Sequence, residues 1–390
     1  LNANSAEIPE LSIVIPCLNE ETTLGACIRA AREGAESSGV AAYEIVVADN
    51  GSSDDSRGVA EAAGARVVSV KERGYGAALR GGISAANGRY VIMADADGSY
   101  DLSSLDGFIE KLRRGTALVM GSRFAGQIEP GAMPWLNRHI GNPLLTFLGR
   151  LFFRINITDF HCGMRAFDRS SILNLNLTTD GMEFASEMVI KAALAGLSMD
   201  EVPITLYPDK RTRPPHLRPW RDGWRHLRFM LVYSPRWVFL YPGFALIIVG
   251  IPLASYLLFA RLRIGALTLD VHSLLATMTA IALGTQLVTL GLFARLYASR
   301  AGLLPPSPSL DRYVKLYSLE IGLAVGLLLG LVGIGLYGYS FYLWGSRSFG
   351  PIIEYQHTLR LVIGGTGSLL IGTQIFFSSF VFSLIAESRE

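Results

Sequence analysis

The stretch Tyr90-Val-Ile-Met-Ala-Asp95-Ala-Asp97-Gly-Ser99-Tyr100 runs an apolar, strand-like segment straight into two carboxylates separated by one residue. On an extended segment residues two apart point the same way, so Asp95 and Asp97 are placed to face one divalent cation carried on a polyphosphate. Hard oxygen ligands of this kind suit Mg²⁺ or Mn²⁺. Asp, Gly and Ser also follow strands for turn reasons alone. The pair therefore takes its meaning from its surroundings.

Upstream, strands alternate with helices. Leu11-Ser-Ile-Val-Ile-Pro16 is a β-branched run closed by proline, and Asn19-Glu20-Glu21-Thr22 opens a helix toward Gly34. Tyr43-Glu-Ile-Val-Val-Ala-Asp49 repeats the strand and ends on an acid; in the turn Asn50 to Ser56, Asp54 can cap the next helix. Ala65 to Val70 is a further strand, and a helix starting at Gly74 precedes the strand Tyr90 to Met93. This alternation predicts an α/β fold with a mostly parallel, doubly wound sheet whose ligands gather at the carboxyl ends of its strands, where Asp49 and Asp95 lie. Gly74, Gly76, Gly81 and Gly82 match neither a Walker loop nor a dinucleotide fingerprint, and phosphate cradling and helix-to-sheet packing both explain them. Downstream, Leu102 to Arg114 reads as a helix and Ala117-Leu-Val-Met-Gly121 as a strand that delivers Ser122-Arg123 to the same edge.

Composition divides the chain. Half of its 390 residues are hydrophobic and 17% are charged, with a mean hydropathy of +0.34, too apolar for an ordinary soluble domain. Short apolar runs with polar turns continue to about Tyr207, and long apolar spans begin beyond Trp237. A net charge of +2 says little about partners, and no nucleic-acid partner is expected. Cys17, Cys27 and Cys162 are odd in number and lack metal-ligand spacing, which fits a reducing compartment. Leu1 to Glu10 lacks the apolar core of a signal peptide, so the first part of the chain is expected in the cytosol.

Ile13-Val14-Ile15-Pro16 with Asn19-Glu20, then Ala48-Asp49-Asn50-Gly51-Ser52-Ser53-Asp54, Asp95-Ala96-Asp97-Gly98 and Gly121-Ser122-Arg123-Phe124 together resemble family 2 glycosyltransferases of the GT-A fold. Asp159-Phe-His-Cys-Gly163-Met-Arg165-Ala-Phe167 and Gly181-Met-Glu183-Phe184 resemble the dolichol- or polyprenyl-phosphate mannose and glucose synthases within that family. The match covers Ile13 to Pro208, and the membrane tail is similar only in kind.

The resemblance implies roles. Pro16, Asn19 and Glu20, with Gly51, Ser52, Gly76 and Ala96, would line the nucleotide-sugar pocket; Asp49 would hold the base or ribose. Asp95 and Asp97 would carry the metal-bound diphosphate, with Asp97, Arg123 and Arg138 catalytic and the two arginines on the acceptor phosphate. Where several relatives place a Gln two residues past the second acid, this chain has Ser99, a poorer metal ligand. The basic stretch Lys210-Arg211-Thr-Arg213-Pro-Pro-His216 replaces a Ser-Lys pair, and Arg211 and Arg213 are expected to clamp the leaving diphosphate.

Met133 to Arg154 is apolar nearly all round, with Pro143 breaking it and Arg150 and Arg154 four apart on one face. Two short helices at the membrane surface explain this pattern, as would a core helix. Trp220, Trp224, Leu227 and Leu231 recur at helical spacing beside Arg221, Arg225 and Arg228, the pattern of an interfacial helix on anionic headgroups. His161 and Cys162 read as pocket lining. Asn156-Ile-Thr158 and Asn176-Leu-Thr178 match glycosylation sequons that a cytosolic domain would leave unused.

Four spans reach the length of about 20 residues needed to cross a bilayer: Trp237 to Ala260, His272 to Ala294, Ile321 to Trp344 and Leu361 to Ile385. Lys210 to Arg236 and the loop with Arg295, Arg300, Arg312 and Lys315 are the basic sides, and Arg261, Arg263, Arg347 and Arg360 are the fewer opposite ones. Both termini are therefore expected in the cytosol. No intramembrane carboxylate pair points to an ion-coupled transporter.

The expected organisation is a cytosolic GT-A domain (1–208), a basic interfacial segment (209–236) and a four-helix transmembrane domain (237–390). The expected activity is metal-dependent, inverting hexose transfer, of mannose or glucose, from GDP-Man or UDP-Glc to a polyprenyl or dolichyl phosphate. A phosphate acceptor is already anionic and needs positioning rather than a base. An alcohol acceptor, or a non-catalytic lipid-linked-sugar binder, are the other readings. The sequence does not indicate the oligomeric state.

Overall fold

In the computed structural model, which describes residues 8–210, 219–301, 304, 319–351 and 355–387, the chain forms two units, Leu1–Tyr233 and Ser234–Glu390. The first is built on a seven-stranded sheet. Its elements are β1 (Leu11–Cys17), α1 (Leu24–Ser37), β2 (Tyr43–Asp49), α2 (Ser56–Ala62), β3 (Arg66–Ser69), α3 (Tyr75–Ala85), β4 (Tyr90–Met93), α4 (Asp106–Arg113) and β5 (Leu118–Ile128). Then come α5 (Asn142–Phe153), β6 (Arg165–Asp168), α6 (Arg169–Leu173), α7 (Phe184–Leu194), β7 (Met199–Leu206) and α8 (Pro219–Val232).

The strand order is β3-β2-β1-β4-β6-β5-β7. Every pair is parallel except those made by β6, which lies antiparallel between β4 and β5. Alternation along β1 sends Ile13 and Ile15 into one core with Ile28 and Phe108, and Val14 into the other with Phe167 and Phe184. Helices thus cover both sheet faces, and the strands read as continuous apolar runs.

Three sequence expectations change. The first helix starts at Leu24, because Asn19 adopts a left-handed conformation with φ of 58° and turns the chain before the helix begins. The helix expected over Leu102 to Arg114 covers only Asp106–Arg113. Strand β5 continues past Gly121 and loses register with β7 between Ser122 and Gln127. A bulge of this kind re-aims side chains, and Arg123 lies within it.

Among the described residues, the second unit contains four helices long and apolar enough to cross a membrane: Arg236–Phe259, Val271–Arg300, Leu319–Gly345 and Tyr355–Ala386. Arg295 and Arg300, expected in a loop, belong to the second helix, and Arg360 to the fourth, where it pairs with Asp270. A two-stranded hairpin, β8 (Leu262–Ile264) with β9 (Leu267–Leu269), joins the first two. The third and fourth helices approach closely at glycines: a methyl group on Gly326 would lie 2.8 Å from the Gly372 carbonyl, and one on Gly333 2.8 Å from that of Gly365. Small residues let membrane helices pack without a hydrophobic drive.

Candidate active site

The loops after β1 and β2 are zipped into one polar rim. The Asn19 amide donates to Ser52 Oγ at 2.9 Å and Asn19 Oδ1 accepts from the Ser53 amide at 2.7 Å. The Glu20 amide donates to Ser56 Oγ at 2.8 Å, and Asp54 accepts from the Ser56 amide; the N-cap of α2 is Asp55 rather than Asp54, and its side chain makes no capping bond. Pro16 is buried inside β1. Asp49 is spent on this architecture: it accepts from the amides of Gly51 and Ser52 and from Arg57 Nε, and its side chain is 1% exposed. Burial alone would raise its pKa, but the Ser52 and Arg57 hydrogen bonds outweigh that and hold it below the usual carboxylate value. Asp49 thus shapes the rim and, in this conformation, offers no open face to a ribose. Gly51 supplies the left-handed turn, with φ of 85°. Asn50 ties the rim to α3, accepting from the Gly74 amide at 2.8 Å.

The acid pair lies beyond the end of β4. The strand stops at Met93, so a turn rather than strand alternation sets Asp97. Asp97 Oδ1 accepts from the Ser99 amide at 2.9 Å and from Ser99 Oγ at 2.6 Å; Ser99 therefore orients the acid. Asp95 Oδ1 accepts from the Tyr75 hydroxyl at 2.8 Å. Burial, with the Asp95 charge beside it, pushes the Tyr75 phenol well above its ordinary range and keeps it a donor. Ala96 between them is buried. The donor set is oxygen only and suits a hard cation. Among the described residues no group of three or more His, Cys, Asp or Glu could hold a metal ion.

The turn is also pinned to the exit of β7. The Tyr207 amide donates to the Ser99 carbonyl and the Lys210 amide to that of Asp97. The basic stretch thus begins beside Asp97; Arg211 and Arg213 themselves lie outside the described residues. Gly76 donates its amide to the Asp180 carbonyl, and a methyl group on it would lie 2.5 Å from the Thr179 carbonyl. Close packing, not phosphate binding, occupies that glycine.

The arginines separate. Arg123 grips Asp159 through Nε at 2.6 Å and Nη2 at 2.8 Å, and its amide donates to the same carboxylate. Burial opposes the Arg123 charge, but Asp159 more than offsets it and raises the guanidinium pKa. Thr158 and Asp159 are held in turn by Glu201. Arg138 is exposed on a π-helical turn, Asn137–Gly141, and its side chain makes no ion pair among the described residues. Around α5 opens a cleft of about 760 Å³ lined by Phe124, Phe147, Leu151, Arg150, Arg154 and Thr158, among others. Trp135, Ile140, Leu144 and Phe147 leave large apolar surfaces exposed there. The opposite face of α5, with Leu145, Leu148, Phe152 and Phe153, packs against the core, so the segment combines the core-helix and surface-helix readings.

Several participants carried no role in the sequence reading. Tyr75 and Asp159 stand in quoted or neighbouring motifs, but nothing in the sequence names their partners. Arg165 is fully buried and, among the described residues, its side chain donates to the carbonyls of Phe160, Cys162 and Ala185. It fastens the loop Asp159–Gly163 to the start of α7. Gly163 closes the circle: its amide donates to the Tyr100 hydroxyl at 3.0 Å, and a methyl group on it would lie 2.8 Å from Asp95 Oδ2.

A mostly parallel sheet with a polar rim after β1 and β2 and two acids after β4 is the framework of a GT-A-like glycosyltransferase. The glycosyl transferase family 2 model matches residues 12–175, and the family's C-terminal transmembrane region matches residues 292–386. The low-salt glycan biosynthesis hexosyltransferase Agl6 of Haloferax volcanii is 34% identical over 99% of this chain and 92% of its own length. The chain belongs to glycosyltransferase family 2 and is an integral membrane protein. A dolichyl-phosphate hexose transferase of the same organism is 30% identical over 50% of this chain and 82% of its own. A crystal structure of Mycobacterium tuberculosis glucosyl-3-phosphoglycerate synthase, containing Mn²⁺, UDP and glucosyl-3-phosphoglycerate, is 23% identical. It covers 58% of this chain and 78% of that one, with a TM-score of 0.44. That likeness is too loose to carry residue roles across.

Proposed function

We propose that this glycosyltransferase moves a hexose, mannose or glucose, from GDP-Man or UDP-Glc to a polyprenyl or dolichyl phosphate at the cytosolic face of its membrane. The observation that carries this reading is the apolar cleft beside α5 with Arg150 and Arg154 in its lining, in the same unit as the acid pair. A phosphate on a long apolar chain matches both halves of that lining. The name of the dolichyl-phosphate hexose transferase relative supports the same acceptor class.

In the reaction an oxygen of the lipid phosphate attacks the anomeric carbon as the bond to the nucleoside diphosphate breaks, with inversion. Asp95 and Asp97 would hold a Mg²⁺ or Mn²⁺ ion, which when bound screens the charge of the leaving diphosphate. Ser99 and Tyr75 fix the two carboxylates, and the stretch from Lys210, with Arg211 and Arg213, supplies further positive charge to the leaving group. Arg138, exposed on the turn before α5, joins Arg150 and Arg154 of the cleft as a guanidinium for the acceptor phosphate. The acceptor arrives ionised, so no base is required.

A second reading, an alcohol acceptor, has one observation in its favour: Glu183 Oε2 is buried with no hydrogen-bond partner among the described residues, as a waiting base would be. Radiolabelled GDP- and UDP-hexoses offered to the purified protein with polyprenyl phosphate test the proposal. Lipid-soluble product that disappears with chelator and with Asp97→Ala is expected. Lipid product at full rate in excess chelator would remove the metal from the account, and no product with any donor would remove the acceptor.

A further inference from the structure

A buried cluster outside the acid pair links the surface helix α8 to the site. His226 of α8 is 8% exposed and its Nδ1 lies 2.7 Å from Ser186 Oγ on α7. The same Oγ lies 3.3 Å from His161 Nε2, and the two imidazoles meet edge-on with centroids 4.6 Å apart. His161 Nδ1 is buried with no hydrogen-bond partner among the described residues. A proton there would be a stranded donor, so the neutral ring carries its hydrogen on Nε2. The direction of the chain follows: His161 Nε2–H donates to Ser186 Oγ, whose hydroxyl donates to His226 Nδ1. Burial, with His226, Arg165 and Arg123 nearby, pushes the His161 pKa well below its ordinary value and keeps the ring neutral. Ser186 is fully buried and its hydroxyl is committed on both sides. It is no nucleophile.

His161 is two residues from Asp159, which holds Arg123, and two from Gly163, which abuts Asp95. Helix α8 packs against α5 and α7; it buries His226 and Met230 and leaves Trp220 and Trp224 exposed. We propose that His226, Ser186 and His161 are positioning residues that fasten α8 to the loop Asp159–Gly163, so that the seating of this helix sets the wall beside Asp95. The inference rests on Asp95 belonging to the active centre and deepens the proposed function.

The test is hydrogen exchange on the full chain in lipid nanodiscs, following residues 219–232 and 159–163. Loss of one buried hydrogen bond in His226→Ala or Ser186→Ala is expected to raise exchange about 3- to 10-fold in both segments together. His226→Asn, whose amide oxygen can replace Nδ1 as acceptor, should restore both. Faster exchange in α8 with 159–163 unchanged, or no change in either, overturns the proposal. Ser186→Ala keeps the test open should His226→Ala fail to fold. Hexose transfer measured on the same samples separates the two readings. A wrong acceptor abolishes transfer in the wild type and leaves the exchange pattern intact.

Discussion

Arg123 and Arg138 look alike in the sequence and differ in kind in the structure. The Arg123–Asp159 pair is buried, with side chains 10% and 0% exposed, so removing one partner leaves an uncompensated charge. Asp159→Asn should therefore cost about 3–5 kcal/mol, read as a fall in melting temperature. Arg123→Lys, losing the two-pronged geometry, should lower melting temperature and donor affinity together. An unchanged melting temperature with selective loss of lipid turnover would instead put Arg123 on the acceptor. Arg138→Lys should leave stability within about 0.5 kcal/mol and cut kcat/KM for the lipid by roughly 10-fold or more, the loss of about 1.4 kcal/mol. Full lipid kinetics in that variant would remove Arg138 from the site. The place of Asp95 and Asp97 just past a strand was legible from the apolar run before them, whereas the Ser99 turn that orients Asp97 was not. The Tyr75–Asp95 and Arg123–Asp159 contacts were not, since partners 20 and 36 residues apart are brought together only by the strand order.

Strand β4 was legible to its end residues, because an apolar β-branched run bounded by Arg89 and the acids leaves little freedom. Strand β6 was missed: Arg165-Ala-Phe-Asp168 is four residues long and carries no alternation, and its antiparallel place is set by β4 and β5. The hairpin at 262–269 did leave a trace, polar and apolar residues alternating around Gly265. At α7, Glu187 is fully buried and accepts from Thr178, Thr179 and Lys191. Burial alone would raise its pKa, but the Lys191 and Thr179 hydrogen bonds hold it below the ordinary 4.5. Protonation is thus disfavoured in the native state. The stability it contributes is complete above the unfolded pKa and is lost as pH falls through the lower native one. Glu187→Gln should lower the melting temperature at neutral pH and flatten its decline between about pH 5 and 3. An acid limb as steep as the wild type's would contradict this.

Across the whole molecule, hydropathy located all four spans because a 20-residue apolar run has few alternatives. Their ends moved because arginines such as Arg295 and Arg360 continue the helices. The proposed orientation, with both termini and the catalytic unit cytosolic, predicts that a cysteine in the 262–269 hairpin is labelled only from the far side. Ala266 is the better site, since Gly265 has φ of 60°, which strains any side chain. A cysteine at Ser307, outside the described residues, should be labelled only from the cytosol. The reversed pattern would invert the topology.

The central claim is the chemistry of the acceptor. A polyprenyl phosphate and the polyprenol of the same chain length, offered separately to the purified protein with its working nucleotide sugar, test it most directly. The account predicts glycosylated lipid phosphate from the first and none from the second, with the rate unaffected by Glu183→Gln. Transfer to the polyprenol, abolished by Glu183→Gln, would contradict it.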